Sequence, residues 1–200
     1  FRESVNRSFQ EQGGGASMKK QDILSYSLKE LEDYMTEHEV PKFRAKQIFR
    51  WLHCDQVDSF EKMTNISAKF REELSEKFYI TSLKIKKRLV SDIDNTVKYL
   101  YALSDGSCME SVLMRYCYGN SLCISTQVGC KMGCRFCAST IAGFVRNLSP
   151  SEILQQIYTA EKDTGEKVSN VVLMGIGEPL DNFDNVLRFL ELVSAPEGYN

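Results

Sequence analysis

Three cysteines, Cys130, Cys134 and Cys137, share one short run, Gly-Cys-Lys-Met-Gly-Cys-Arg-Phe-Cys. Spacings of three and two residues between thiols let three sulfurs converge on three irons of a cubane [4Fe-4S] cluster and leave the fourth iron without a protein ligand. An open iron can bind a small molecule, whereas structural metal sites close every position. Zinc is the competing reading, but it usually takes four ligands from paired Cys-x-x-Cys spacings, and the only two histidines, His38 and His53, lie far upstream. Seven cysteines are an odd number in a 200-residue chain too long to need staples, so a secreted disulfide framework is disfavoured.

The cysteine run needs elements to position it. Ser121 to Val128 reads as a strand leading directly into it. Beyond it, Ser149-Pro150-Ser151-Glu152 combines an N-cap, a first-turn proline and a capping-box glutamate ahead of Ile153, Ile157 and Ala160, which predicts a helix ending at Gly165. Asn170 to Met174 suits a buried parallel strand, and Val186, Phe189, Leu190 and Val193 open another helix. Strand, loop, helix, repeated, is the start of an α/β barrel. At about 30 residues per unit only two units fit, so a closed barrel is not expected and the chain reads as truncated at Asn200.

Upstream the pattern differs. Val97, Tyr99, Tyr101 and Leu103 alternate before Asp105-Gly106, and a further strand from about Cys108 to Tyr116 ends near Gly119-Asn120, which are antiparallel hairpin signals. Three helices precede them: one capped by Ser27 and Glu30, one after Pro41 carrying Ile48, Trp51 and Leu52, and one from Ser67 with Phe70, Leu74 and Phe78. The reading is four segments: 1–17 as a disordered or spurious extension before a start at Met18, 18–82 as a helical accessory domain, 83–120 as a β-hairpin extension, and 121–200 as the incomplete core domain.

Charge is unevenly distributed. Between Pro41 and Arg88 twelve Lys or Arg stand against six Asp or Glu, so this stretch carries +6 in a chain of net charge −2. Clustered cations fit phosphate contacts, and the basic stretch Lys84, Lys86, Lys87 and Arg88, with the upstream helices, is the candidate nucleic-acid-facing surface; an ordinary solvated surface is the alternative. No apolar run approaches the roughly 18 residues a membrane span needs, and no secretory leader pattern opens the chain, so a cytoplasmic protein without a membrane partner is expected.

Cys-x-x-x-Cys-x-x-Cys with an aromatic residue before the third cysteine resembles the radical S-adenosylmethionine (SAM) signature. Met-Glu-Ser-Val at 109–112, Cys-Ile-Ser-Thr-Gln-Val-Gly-Cys at 123–130 and Met-Gly-Ile-Gly-Glu-Pro-Leu at 174–180 resemble, in that order, the RlmN family of dual-specificity RNA adenine methyltransferases. The likeness runs from about Gln21 to the last residue. It implies a partial (β/α)6 barrel preceded by the helical domain and the hairpin extension.

The resemblance also implies chemistry. In this family the methionine end of SAM chelates the open iron, and an electron from the cluster releases a 5′-deoxyadenosyl radical. The methyl group passes through a methyl-cysteine to carbon 2 of adenine. By motif position Cys130, Cys134 and Cys137 would hold the [4Fe-4S] cluster, Gly177 and Glu178 would contact SAM, Glu110 would accept the carbon-2 proton, and Cys123 would be the resolving thiol, forming a transient disulfide with a cysteine absent from this chain. That cysteine lies further toward the C-terminus in the family, so this polypeptide alone is expected to be inactive. Expected partners are 23S rRNA, tRNA and an electron donor such as flavodoxin or ferredoxin. The alternatives are a Cfr-type carbon-8 methyltransferase, against which Pro179 and the Cys-Ala-Ser-Thr run speak by family likeness alone, and a non-catalytic zinc module. Cys54, Cys108 and Cys117 match no role.

Overall fold

The computed structural model describes residues 20–199, so the expectations for residues 1–17 and Met18 lie outside the described residues. A two-residue strand β1 (Gln21–Asp22) precedes α1 (Leu28–Glu37). The Ser27 hydroxyl accepts from the Glu30 amide and the Glu30 carboxylate accepts from the Ser27 amide, satisfying two donors that a helix start otherwise leaves unpaired. The helices α2 (Phe43–His53) and α3 (Ala68–Lys77) follow, the latter capped by Ser67. Leu31, Met35, Ile48, Leu52 and Leu74 are buried, one face from each helix. Trp51 is half-buried, with its indole N–H donating to Asn65. Phe78 falls just beyond α3 in β2 (Phe78–Tyr79), which pairs parallel with β1 and returns the chain to its start.

Next come β3 (Lys84–Val90), β4 (Val97–Ala102), β5 (Cys108–Tyr116), β6 (Gly119–Cys123), β7 (Gln127–Gly129), β8 (Phe144–Asn147), α4 (Pro150–Thr164), β9 (Asn170–Val172) and α5 (Phe183–Val193). The main sheet has the order β3-β4-β5-β6-β9. Its first four strands are antiparallel, while β6 and β9 are parallel and joined through α4. Val97, Tyr99, Tyr101, Met109, Leu113 and Leu122 form its buried face, and the Tyr99 hydroxyl donates to Asp163 of α4. The short ribbon β7–β8 stands apart and carries the cysteine loop between its strands. The architecture is therefore mixed α/β, with N-terminal helices and one βαβ crossover; one parallel pair does not by itself amount to a barrel wall.

One strand is additional and two local expectations change. The basic stretch at 84–90 is a strand, exposed at every position and shifted in register between Ile85 and Lys87, so it lacks the alternation that marks a half-buried strand. The run 121–128 is two strands in two sheets, because the chain leaves β6 after Cys123 and the Ile124 and Ser125 backbones bond the 172–175 segment and Gln156 instead. In α5, Val186, Phe189 and Leu192 point inward while Leu190 is exposed. The helix at 150–164 keeps its expected capping box and ends on Gly165 at φ 69°, a left-handed position natural to glycine.

Candidate active site

Alternation along β5 decides what faces outward from the sheet's packed side. Met109, Ser111 and Leu113 are buried, so Glu110 and Val112 point to the opposite face. Val112 pairs with Lys98 on one side and Cys123 on the other, and Cys123 pairs with Val172, which makes one cross-strand row. Glu110 lies two residues along β5 from that row. It is therefore the diagonal neighbour of Cys123 on the same face, a relation of roughly 7–8 Å in antiparallel strands. Lys98 Nζ lies 2.9 Å from Glu110 Oε2. The Cys123 thiol is pushed up by burial, offset in part by a hydrogen bond from the Met174 backbone.

The 174–180 turn is seated on the segment that leaves β6. The Gly175 amide donates to Ile124 O at 3.0 Å, the Thr126 amide to Ile176 O at 2.9 Å, and the Ile176 amide to Ser125 Oγ at 2.9 Å. Gly177 has φ 105°, and a Cβ placed there would lie 2.6 Å from Gln127 Cβ, so both conformation and space require glycine. Glu178 is half-buried and its carboxylate accepts from the Leu180 amide. Gln127, fully buried, accepts from the Glu178 amide at 3.0 Å and donates to Asn147 Oδ1 and Asp181 Oδ2, each at 2.8 Å. Asp181 is held below the usual carboxylate range, first by Lys131 and then by Gln127.

The cysteine loop begins where Gly129, at φ 71°, passes so close to Gly143 that a Cβ would sit 1.8 Å from its carbonyl oxygen. Cys130 is buried, Cys134 exposed and Cys137 half-buried, and the Cys137 amide donates to Cys134 O at 3.0 Å. Ser139 hydrogen bonds hold the Cys137 thiol below the ordinary range. All seven cysteines are free, so the disulfide expected of Cys123 has no counterpart among the described residues. Nor do three or more His, Cys, Asp or Glu side chains there gather into a metal-binding group. Crowding thiolates is unfavourable until a metal compensates their charge, because ligand convergence is coupled to binding.

Comparison with known proteins places this geometry. Residues 21–80 match the ribosomal RNA large subunit methyltransferase N-terminal domain, and residues 124–199 match the radical SAM superfamily. "Probable dual-specificity RNA methyltransferase RlmN" of Alkaliphilus oremlandii is 51% identical over 183 residues, covering 92% of this chain and 53% of the relative. The protein of the same description in Clostridium perfringens strain 13 is 52% identical over 179 residues, covering 90% and 52%. RlmN-type proteins of the radical SAM superfamily are thus what this chain resembles. The crystal structure of a radical SAM methyltransferase from Sphaerobacter thermophilus superposes on it with a TM-score of 0.81 at 32% identity, covering 89% of this chain and 53% of that one. The chain spans about half the length of the curated relatives it matches.

The radical SAM match over residues 124–199 implies a [4Fe-4S] cluster and SAM. The donor set fits the cluster in kind: three free thiols in one loop, with no histidine or carboxylate gathered among them. Lys84, Lys86 and Lys87 are exposed along β3, but Arg88 is already engaged, its Nε 2.8 Å from Asp163 Oδ2. Reading the sequence by motif leaves Gln127, Lys131, Asp181 and Lys98 without roles. Gln127 lies inside a recognised motif, but only its burial reveals what it does, and no local signal pairs Lys131 with Asp181.

Proposed function

We propose that this chain is part of a radical SAM enzyme that methylates carbon 2 of an adenine in 23S rRNA and tRNA. The observation that carries the reading is that Glu110 and Cys123 share one sheet face while the strand holding Cys123 leads, through a segment bonded to the Gly177-Glu178 turn, into the cysteine loop. Proton acceptor, resolving thiol, cofactor turn and cluster loop would thus gather at the C-terminal ends of the parallel strands β6 and β9, the end at which barrel sites are built. In this reading residues 121–200 begin a partial (β/α)6 barrel, 83–120 extend its sheet, and 18–82 form the RNA-facing accessory domain.

Cys130, Cys134 and Cys137 would hold the [4Fe-4S] cluster, and Gly177 and Glu178 would contact the methionine end of SAM. Cluster and SAM, when bound, supply radical chemistry at a carbon too electrophilic for direct methyl transfer. Glu110 would take the carbon-2 proton, with Lys98 as its charge partner, and Cys123 would release the product by forming a disulfide with the methyl-carrying cysteine. The half-exposed face around them suits an adenine that has been unstacked and splayed out of its RNA. Lys84, Lys86 and Lys87 would contact phosphates. An electron donor such as flavodoxin or ferredoxin and a cytoplasmic setting belong to the same reading.

Anaerobic incubation with iron and sulfide tests the cluster directly. A brown protein with broad visible absorption, lost in Cys134→Ala, is expected. Stoichiometric zinc without colour would sink the reading.

A further inference from the structure

Residues 131–141 pass through the cysteine loop with few ties to the rest of the protein. Their backbone bonds run within the loop, from Cys137, Thr140 and Ile141 to Cys134, Cys137 and Ala138. Met132, Cys134, Phe136 and Ile141 are exposed. Among the described residues one ion pair or side-chain hydrogen bond joins this stretch to another element: Lys131 Nζ to Asp181 Oδ1 at 2.9 Å. The Lys131 ammonium also lies 5.2 Å from the Phe144 ring centroid, at the loop's own far end.

An isolated exposed ion pair is worth little, because two long side chains must be ordered for a screened attraction. Here one partner is already ordered. The other oxygen of Asp181 accepts at 2.8 Å from the buried Gln127 amide, which also accepts from the Glu178 amide and donates to Asn147 at the base of the loop. Two donated bonds and one accepted bond anchor the Gln127 amide to two other segments, the strand at Asn147 and the turn at 178–181. The Gly177 backbone rests against its stem.

We infer that Gln127, Asp181 and Lys131 are positioning residues that couple the cysteine loop to the Gly177-Glu178 turn, so that the shape of each depends on the other. The inference rests on the cluster and SAM roles proposed for those two segments. Its physical content is a chain of contacts from Lys131 through Asp181 and Gln127 to the Glu178 amide. Ordering the turn on a ligand would draw the cysteine loop toward it, and a loop already ordered would present the turn in its binding shape.

The test uses this chain with Lys131→Met and Asp181→Ala, two substitutions outside the apolar core. Amide hydrogen exchange in Lys131→Met should speed up by roughly three- to tenfold at residues 178–182, remote in sequence from the change, and Asp181→Ala should do the same at residues 131–141. Lys131→Arg should restore the original protection. After iron and sulfide reconstitution and reduction, SAM is titrated against the electron paramagnetic resonance spectrum. Asp181→Ala should need about tenfold more SAM for the same spectral change, at unchanged iron content. Exchange changes confined to the substituted loop, or an unchanged SAM midpoint, would overturn the coupling. A chain that takes up no iron would instead defeat the cluster reading, and the exchange measurement would still decide the coupling.

Discussion

On α2 and α4, Phe49, Leu52, Ile157 and Tyr158 are all exposed by 1% or less, whereas Met132, Phe136 and Ile141 of the cysteine loop are exposed by 52%, 95% and 85%. The first region is held by apolar area removed from water, at roughly 25 cal/mol per Å². Along residues 131–141 of the second no side chain is buried. Side-chain amides take over: Gln156 bonds both the amide and the carbonyl of Ser125, Asn182 donates to Thr126 O and Leu148 O, and Gln127 spans three segments. Apolar packing is cooperative and non-directional, while each amide contact fixes one loop in one direction. The scaffold should therefore fail as a unit and the site piece by piece.

The hardest blow to the packed region is Phe49→Ala, which should cost about 4 kcal/mol of global stability through lost burial and a cavity. Chemical denaturation should show a lower midpoint with single-transition behaviour. A change that loosens only α2 would blur the contrast between the two regions.

The amide-held region is tested by Gln156→Leu. It keeps the volume but orphans the Ser125 N–H and C=O, at a cost of roughly 3 kcal/mol. Exchange at the Ser125 and Ile176 amides should accelerate by about a hundredfold while amides around Phe49 keep their protection. Protection lost equally everywhere would erase the distinction.

The smallest of the three effects probes a polar group inside the packed region. His53 is fully buried, with Nδ1 2.9 Å from the Tyr158 hydroxyl and no partner for Nε2 among the described residues, and burial pushes its pKa down to about 3. An unfolded histidine titrates near 6.5, so on acidification the unfolded chain binds a proton that the folded chain refuses. The stability contributed by neutral His53 is complete above about pH 6.5 and is lost as pH falls toward about 3. Between pH 7.5 and pH 5 the expected loss is about 2 kcal/mol, measured as a shift in urea midpoint. Equal pH dependence in His53→Leu would remove His53 as its source.

Local signals were legible in proportion to how local their causes are. The capping boxes at Ser27 and Ser149, the left-handed Gly165 and the alternation of Val97, Tyr99 and Tyr101 each depend on neighbours a few residues away, and each appears as expected. Lys84 to Val90 was illegible as a strand because exposure at every position leaves no periodicity to read. The break after Cys123 was illegible for another reason: its partners, Val172, Gln156 and Ile176, lie roughly thirty to fifty residues onward.

For the candidate site, residue types and spacing alone determined the three thiols, the glycine-rich turn and the RlmN-type motifs, because ligand chemistry and backbone freedom are properties of the residues themselves. Tertiary structure alone decided that Glu110 and Cys123 share a face, that Lys98 pairs with Glu110, and that Lys131 reaches the Gly177-Glu178 turn through Asp181 and Gln127. Strand register and contacts between distant segments set those relations. Neither is written in the spacing of one short stretch of chain.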